Sequence, residues 1–217
     1  MKLFDNVVNK IDSGILGLNK GLPMGFNRLV EYIPGIQQGT YYLIGAETSV
    51  GKTAFVDNCF VYTPLDWVIA NKDKTDIKLK IIYYSLEITK DIKITKAICR
   101  KIYMDTGKLL DVNYILSRGK NRIEQEDYDL VMSTKDHFYE LEDHITIIDK
   151  NENPTGVFLD MITHSKENGI WTEENKQGTY TPNDPNLYTI IIIDHCSLLK
   201  KERGFNVKDN IDKLSEY

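Results

Sequence analysis

Apolar residues gather into four short runs, and between them they recur every third or fourth position, which predicts strands interleaved with helices. Thr40 to Ile44 reads as the first strand, Leu79 to Leu86 as the second, His144 to Asp149 as the third and Leu187 to Asp194 as the fourth. The second is apolar enough to be buried on both faces, as a parallel sheet requires. The fourth is the most emphatic, with Ile190 to Ile193 running into an acid. Helices are predicted over Lys52 to Tyr62, with Ala54, Phe55, Cys59 and Phe60 inward, and over Leu65 to Ala70, with Pro64 ending or kinking the first. Ile88 to Met104 carries Ile88, Ile92, Thr95, Cys99 and Ile102 on one stripe and Lys or Arg on the other side. Ile123 to Glu142 reads as a charged, mostly solvated helix, Gly156 to Lys166 as another after Asn153-Pro154-Thr155, and Val207 to Tyr217 as the opening of a last one.

Between these lie turn-rich blocks. Gly21 to Phe26 and Pro34 to Gly39 flank a helical piece at Asn27 to Tyr32, and Thr172 to Asn186, with Pro182 and Pro185, reads as an exposed loop. Residues 3–18 have roughly helical apolar spacing broken at Ser13-Gly14, a lead-in arm. The order of elements predicts an α/β domain with a mostly parallel sheet flanked by helices. No internal repeat or low-complexity tract interrupts it.

Composition changes this picture little. At 217 residues, 41% hydrophobic and 27% charged, the chain suits one soluble globular domain with ample core. The net charge of −5 argues against coating nucleic acid over the whole surface, but allows a strand gripped by a few loops. Cys59, Cys99 and Cys196 are far apart and lie in apolar stretches, which favours buried thiols in a reducing compartment over disulfides or a zinc site. The N-terminus lacks a signal-like apolar region, and no run approaches the roughly 18 apolar residues of a membrane span. A cytoplasmic protein with no membrane partner is the expectation.

The chemistry begins at Gly45-Ala46-Glu47-Thr48-Ser49-Val50-Gly51-Lys52-Thr53, a G-x-x-x-x-G-K-T sequence between the first strand and a helix. A loop whose amides must converge on a polyphosphate needs glycine where a Cβ would block the turn, and Gly45 and Gly51 fill those places. Lys52 supplies a mobile charge, the Thr53 hydroxyl can ligate Mg²⁺, and the helix start through Ala54 offers free amides. Residues Gly45 to Ala54 are therefore the predicted nucleotide-binding residues. The bland alternative is a glycine-rich turn with a chance lysine. Asp194, at the end of a buried strand, can hold Mg²⁺ or its water shell, or be an acid that merely ends a strand. Glu87, after the second strand, can orient or deprotonate an attacking water, or serve as an idle helix N-terminal charge. Lys200, Lys201 and Arg203 are a candidate DNA contact or a solvated turn.

Taken in order, Gly21-Leu22-Pro23-Met24-Gly25-Phe26, Gly35-Ile36-Gln37-Gln38-Gly39, the phosphate loop ending Gly51-Lys52-Thr53-Ala54-Phe55, Ser85-Leu86-Glu87 and Ile193-Asp194-His195 resemble the ATPase domain of DnaB-type replicative helicases, RecA-like motors of superfamily 4. The resemblance implies residues 1–20 as a lead-in arm and 21–217 as a partial RecA-like P-loop NTPase core. It implies a hexameric ring that uses ATP and Mg²⁺ to translocate on single-stranded DNA, alongside primase or other replisome proteins. By the same resemblance Glu87 is the catalytic glutamate, Lys52 and Thr53 the Walker A pair and Asp194 the Walker B aspartate. His195 stands where many bacterial members have Tyr, while some phage members have Asp-His, which points to a phage protein acting in its host's cytoplasm. A residue packed at the strand end is the alternative for His195.

The family's primase-binding N-terminal domain, polar sensor strand, most DNA-gripping loops and arginine finger have no counterpart, so the C-terminal part of the core is expected to be missing. In RecA-like sheets the sensor strand lies between the Walker A and Walker B strands, and without it those two would stand about 9 to 10 Å apart with unpaired backbone. The expectation is a fragment that binds nucleotide weakly, hydrolyses ATP slowly and does not unwind DNA alone. Two other readings stay open. One is a RecA-like ATPase of the recombinase or clock-protein kind; the other is a non-catalytic helicase remnant that joins or inhibits an intact ring.

Overall fold

The computed structural model describes residues 3–15, 21–47, 49–120, 122–174 and 177–215. The chain divides into two compact units, Met1–Leu79 with Tyr188–Ile190, and Lys80–Leu187 with Ile191–Tyr217.

The first unit opens with α1 (Leu3–Ile15) and α2 (Asn27–Val30). Its body is one continuous helical rod made of α3 (Lys52–Asp57), a π-helical turn (Asn58–Tyr62) and α4 (Thr63–Ala70). Pro64 therefore neither ends nor separates the helix. An α-helical register would press its ring on the carbonyl of Phe60, and the wider π turn lies directly before it, where that conflict would fall. Cys59, Phe60, Leu65 and Val68 are buried along the rod, while Ala54, expected inward, is exposed. The two turn-rich blocks pack on the rod. Leu22 bridges Ile36 in antiparallel fashion, Phe26 stacks on Phe55 at 5.5 Å, and Tyr42 meets Phe60 at 5.2 Å.

Gly25 shows why one block needs glycine. Its φ is +78°, and a Cβ there would lie 2.4 Å from Thr63 Oγ1 and 2.9 Å from Asn58 Nδ2. Gly25→Ala is expected to cost about 1–3 kcal/mol from backbone strain and the forced side-chain shift. Urea unfolding of the two proteins measures it.

Thr40 to Ile44 is not a strand. Among the described residues no strand ladders with their backbone, and Tyr41 and Leu43 stay exposed. An apolar run becomes a strand only where a second backbone takes its amides and carbonyls.

The second unit holds most of a three-stranded sheet of order β2-β1-β5, from β1 (Lys78–Ser85), β2 (Ile145–Ile148) and β5 (Leu187–Asp194). β1 and β2 are parallel, with Ile81 opposite Ile145 and Tyr84 opposite Ile148. β1 and β5 end together, the Leu86 amide donating to the Asp194 carbonyl at 2.8 Å. Alternation along β1 sends Ile82 and Tyr84 to one face, where they form a core with Val157 of α9 (Pro154–Asn168) and Leu199. Tyr83 goes to the other face, against Lys93 of α5 (Lys90–Thr106). Helices on both faces of a parallel sheet make the α/β, RecA-like core that the sequence predicts.

Two further expectations change. The predicted helix 123–142 is two, α7 (Gln125–Ser133) and α8 (Lys135–Glu142), parting at Thr134, after a short α6 (Val112–Ile115). Although charged, α7 buries Asp127, which Lys108 and Tyr114 hold. The polar stretch expected to be a loop forms an antiparallel hairpin, β3 (Gly169–Glu174) with β4 (Gln177–Pro182). Trp171 lies opposite Tyr180 and edge-on to Phe158 of α9, so aromatic and Thr positions hold a ribbon despite its polarity. The chain closes with α10 (Val207–Ser215), packed on α9. Among the described residues no helix is long and apolar enough to cross a membrane.

Candidate functional site

The predicted phosphate loop belongs to the first unit. Gly51 adopts the left-handed conformation (φ +93°) at the N-cap of α3, and the Phe55 amide donating to the Gly51 carbonyl at 2.9 Å is the first rung of the helix ladder. The amides of Lys52, Thr53 and Ala54 precede that ladder and so have no partner within the helix. Ser49 also has positive φ (+65°), a second sharp bend two residues earlier. Nothing lies within 4 Å of where a Cβ would stand on Gly45 or Gly51. Gly45, Ala46, Glu47, Ser49, Val50 and Gly51 are exposed, Lys52 and Thr53 half-buried, and Thr48 lies outside the described residues. Gly51 is required by its φ, whereas at Gly45 neither a close neighbour nor a positive φ calls for glycine.

The strand-end acids belong to the second unit. Ser85-Leu86-Glu87 divides its work by residue. The Ser85 hydroxyl donates to the Ile88 carbonyl at 2.6 Å, closing the turn; the Leu86 amide ties that turn to the end of β5; Glu87 is left exposed. Asp149, at the end of β2, accepts from the Lys90 amide at 3.1 Å and so takes the first helical amide of α5.

Asp194 is only 3% exposed. Its Oδ2 accepts from the Tyr83 hydroxyl at 3.1 Å and lies 4.0 Å from Lys93 Nζ, while among the described residues Oδ1 takes no hydrogen bond. One oxygen is held in place and the other is left as a single ligand for Mg²⁺, which uses one or two carboxylates and keeps several waters; among the described residues no group of three or more His, Cys, Asp or Glu gathers that could hold a metal. His195 is half-buried, and its Nδ1 is 2.5 Å from Ser197 Oγ.

Sequence reasoning missed Tyr83, Lys93 and Asp149. Lys93 falls among the Lys and Arg positions opposite the predicted apolar stripe of α5, yet it is 5% exposed. Its one signal is the spacing to Ala97, one turn on along the buried side.

Lys200, Lys201 and Arg203 are exposed on a loop whose anchor is the acid between them. Glu202 accepts from the Thr155 amide (3.0 Å) and hydroxyl (2.6 Å) and pairs with Lys213 of α10. Lys213, then the Thr155 hydroxyl, hold its carboxyl down at about 2, against an ordinary 4.5. A depressed carboxyl contributes stability that is complete above pH 4.5 and lost as pH falls through 2. Glu202→Gln is therefore expected to be less stable than the parent at pH 7, with the gap closing between pH 4.5 and 2. Urea midpoints across that range test it.

A comparison with curated proteins returns no match. Residues 21–217 match the DnaB-like helicase C-terminal domain, from the first turn block to the end of the chain, and the protein therefore belongs to that helicase family.

Proposed function

We propose that this chain is the ATP-driven motor domain of a replicative DNA helicase, one that translocates on single-stranded DNA as a homo-hexameric ring and so opens the duplex. The observation that carries the reading is Gly51, left-handed at the head of α3 below an open loop bounded by glycine. In this reading the amides of Gly45 to Ala54 and the Lys52 ammonium bind the phosphates of ATP. Thr53, in the first unit, and Asp194, in the second, are each a candidate ligand of Mg²⁺, which when bound neutralises charge on the phosphate oxygens. Glu87, exposed beyond the turn that Ser85 closes, orients a water and takes its proton. Lys200, Lys201 and Arg203 grip the phosphates of a DNA strand without reading its bases.

Calorimetric titration with Mg²⁺-ATP tests the reading, and hydrolysis with and without single-stranded DNA extends it. Magnesium-dependent binding and stimulation by DNA are the expected results. Absence of any binding at millimolar nucleotide would overturn it. Turnover by the isolated chain is expected to be slow, because the segment leading into the loop, Thr40 to Ile44, has no neighbouring strand among the described residues to fix its backbone. A family motor also draws about 10³ to 10⁵ in rate from an arginine supplied in the assembled ring. A steady-state assay at micromolar chain, compared with an intact ring helicase, measures the deficit.

A further inference from the structure

We infer that Lys93 is an internal counter-ion of Asp194, and that its charge sets how strongly nucleotide binding by this chain depends on magnesium. The inference rests on the reading of Asp194 as the carboxylate that serves the metal.

Lys93 lies on α5 among buried Thr95, Ala97 and Ile102, where an apolar side chain would pack without cost. A buried ammonium is expensive unless it is paired. Here Nζ sits 3.6 Å above the Tyr83 ring and 4.0 Å from Asp194 Oδ2, and the hydroxyl of that same tyrosine donates to the same oxygen at 3.1 Å. Tyr83 thus places the cation with its ring face and orients the carboxylate with its hydroxyl.

Two opposite consequences follow from a positive charge in that place. Without metal, Lys93 balances a carboxylate that is otherwise buried at the strand end, which stabilises the fold. With metal, a divalent ion approaching Oδ1 meets a carboxylate whose charge is already shared and a cation a few ångströms behind it, which weakens its binding. Lys93 is therefore a positioning residue for Asp194, and it restrains the metal where a simple packing role would leave it unaffected.

The experiment measures ADP affinity with Mg²⁺ and with EDTA for the parent, Lys93→Met, Lys93→Gln, Lys93→Arg and Asp194→Asn, together with thermal midpoints in both conditions. The ratio of the two affinities is the magnesium gain. Loss of the charge is expected to raise that gain on the order of tenfold, within the usual range of coupling between two sites. The midpoint of Lys93→Met should fall in EDTA and recover in part with Mg²⁺-ADP, while Lys93→Arg keeps the parent ratio. Lys93→Gln retains a polar head, so the ratio stays readable if the methionine variant fails to fold. Neutral variants with the parent's magnesium gain, in a series where Asp194→Asn loses it, would overturn the counter-ion role alone. Asp194→Asn with an undiminished gain would instead remove the premise that this carboxylate serves the metal.

Discussion

Lys52→Ala is expected to lower single-turnover ATP hydrolysis by at least about 100-fold, the usual cost of deleting one preorganised charge or donor at developing phosphate charge. The side chain is half-buried at the first position of α3, directly after left-handed Gly51. The shape of the loop comes from backbone: the φ values of Ser49 and Gly51 and the Phe55 rung. Alanine leaves all of these intact, so unfolding free energy should change by no more than about 0.5 kcal/mol. Binding is expected to weaken as well, because the substitution removes the mobile charge and leaves only the backbone amides to meet the phosphates. Rapid-mix hydrolysis with the chain in excess over labelled ATP, paired with urea unfolding, separates loss of chemistry from loss of fold. An unchanged rate would mean that the loop around Gly51 is a glycine-rich turn and nothing more.

The parts of this protein legible in the sequence are those whose residue types are forced by one local requirement. β1 and β5 each show as a four-residue apolar run, Ile81 to Tyr84 and Ile190 to Ile193, because both faces of the sheet are covered, and α9 starts where Asn153 caps it, its side chain accepting from the Gly156 amide. Gly51 is legible because a left-handed turn at the head of α3 favours glycine. What was not legible depends on partners far along the chain. Thr40 to Ile44 is as apolar as a strand, yet strand formation belongs to a pair of segments. Pro64 reads as ending or kinking the helix because the π turn that accommodates it leaves no mark in composition. Lys93 looked solvated because its partners, Tyr83 and Asp194, lie 10 positions before it and 101 after it. The hairpin at Gly169–Glu174 and Gln177–Pro182 hides behind polar residues whose Thr and aromatic positions pair across it. Patterns of one residue type report burial well and report pairing poorly.

Glu87→Gln offers the sharpest division between chemistry and structure in the second unit. The sequence alone left this acid between a water-activating role and an idle charge at the start of α5. The structure assigns the helix-start task to another residue: Asp149 accepts from the Lys90 amide, and Ser85 closes the intervening turn onto the Ile88 carbonyl. Glu87 is therefore not needed to hold α5, and it stands exposed at the end of a strand tied to β5. A glutamine there keeps size and polarity but cannot accept a proton from water. If Glu87 is the base, the single-turnover rate should fall by about 10² to 10⁴, the usual range for a positioned general base, while Mg²⁺-ATP affinity stays within about twofold, since ground-state binding does not use the proton acceptor. Asp149→Ala supplies the contrast: loss of the acceptor that takes the Lys90 amide should lower stability by about 0.5–2 kcal/mol, the usual cost of deleting a helix cap, and leave the hydrolytic step nearly intact. Equal rates for parent and Glu87→Gln, measured with saturating chain, would return Glu87 to the status of a surface charge and require the proton acceptor to be sought elsewhere.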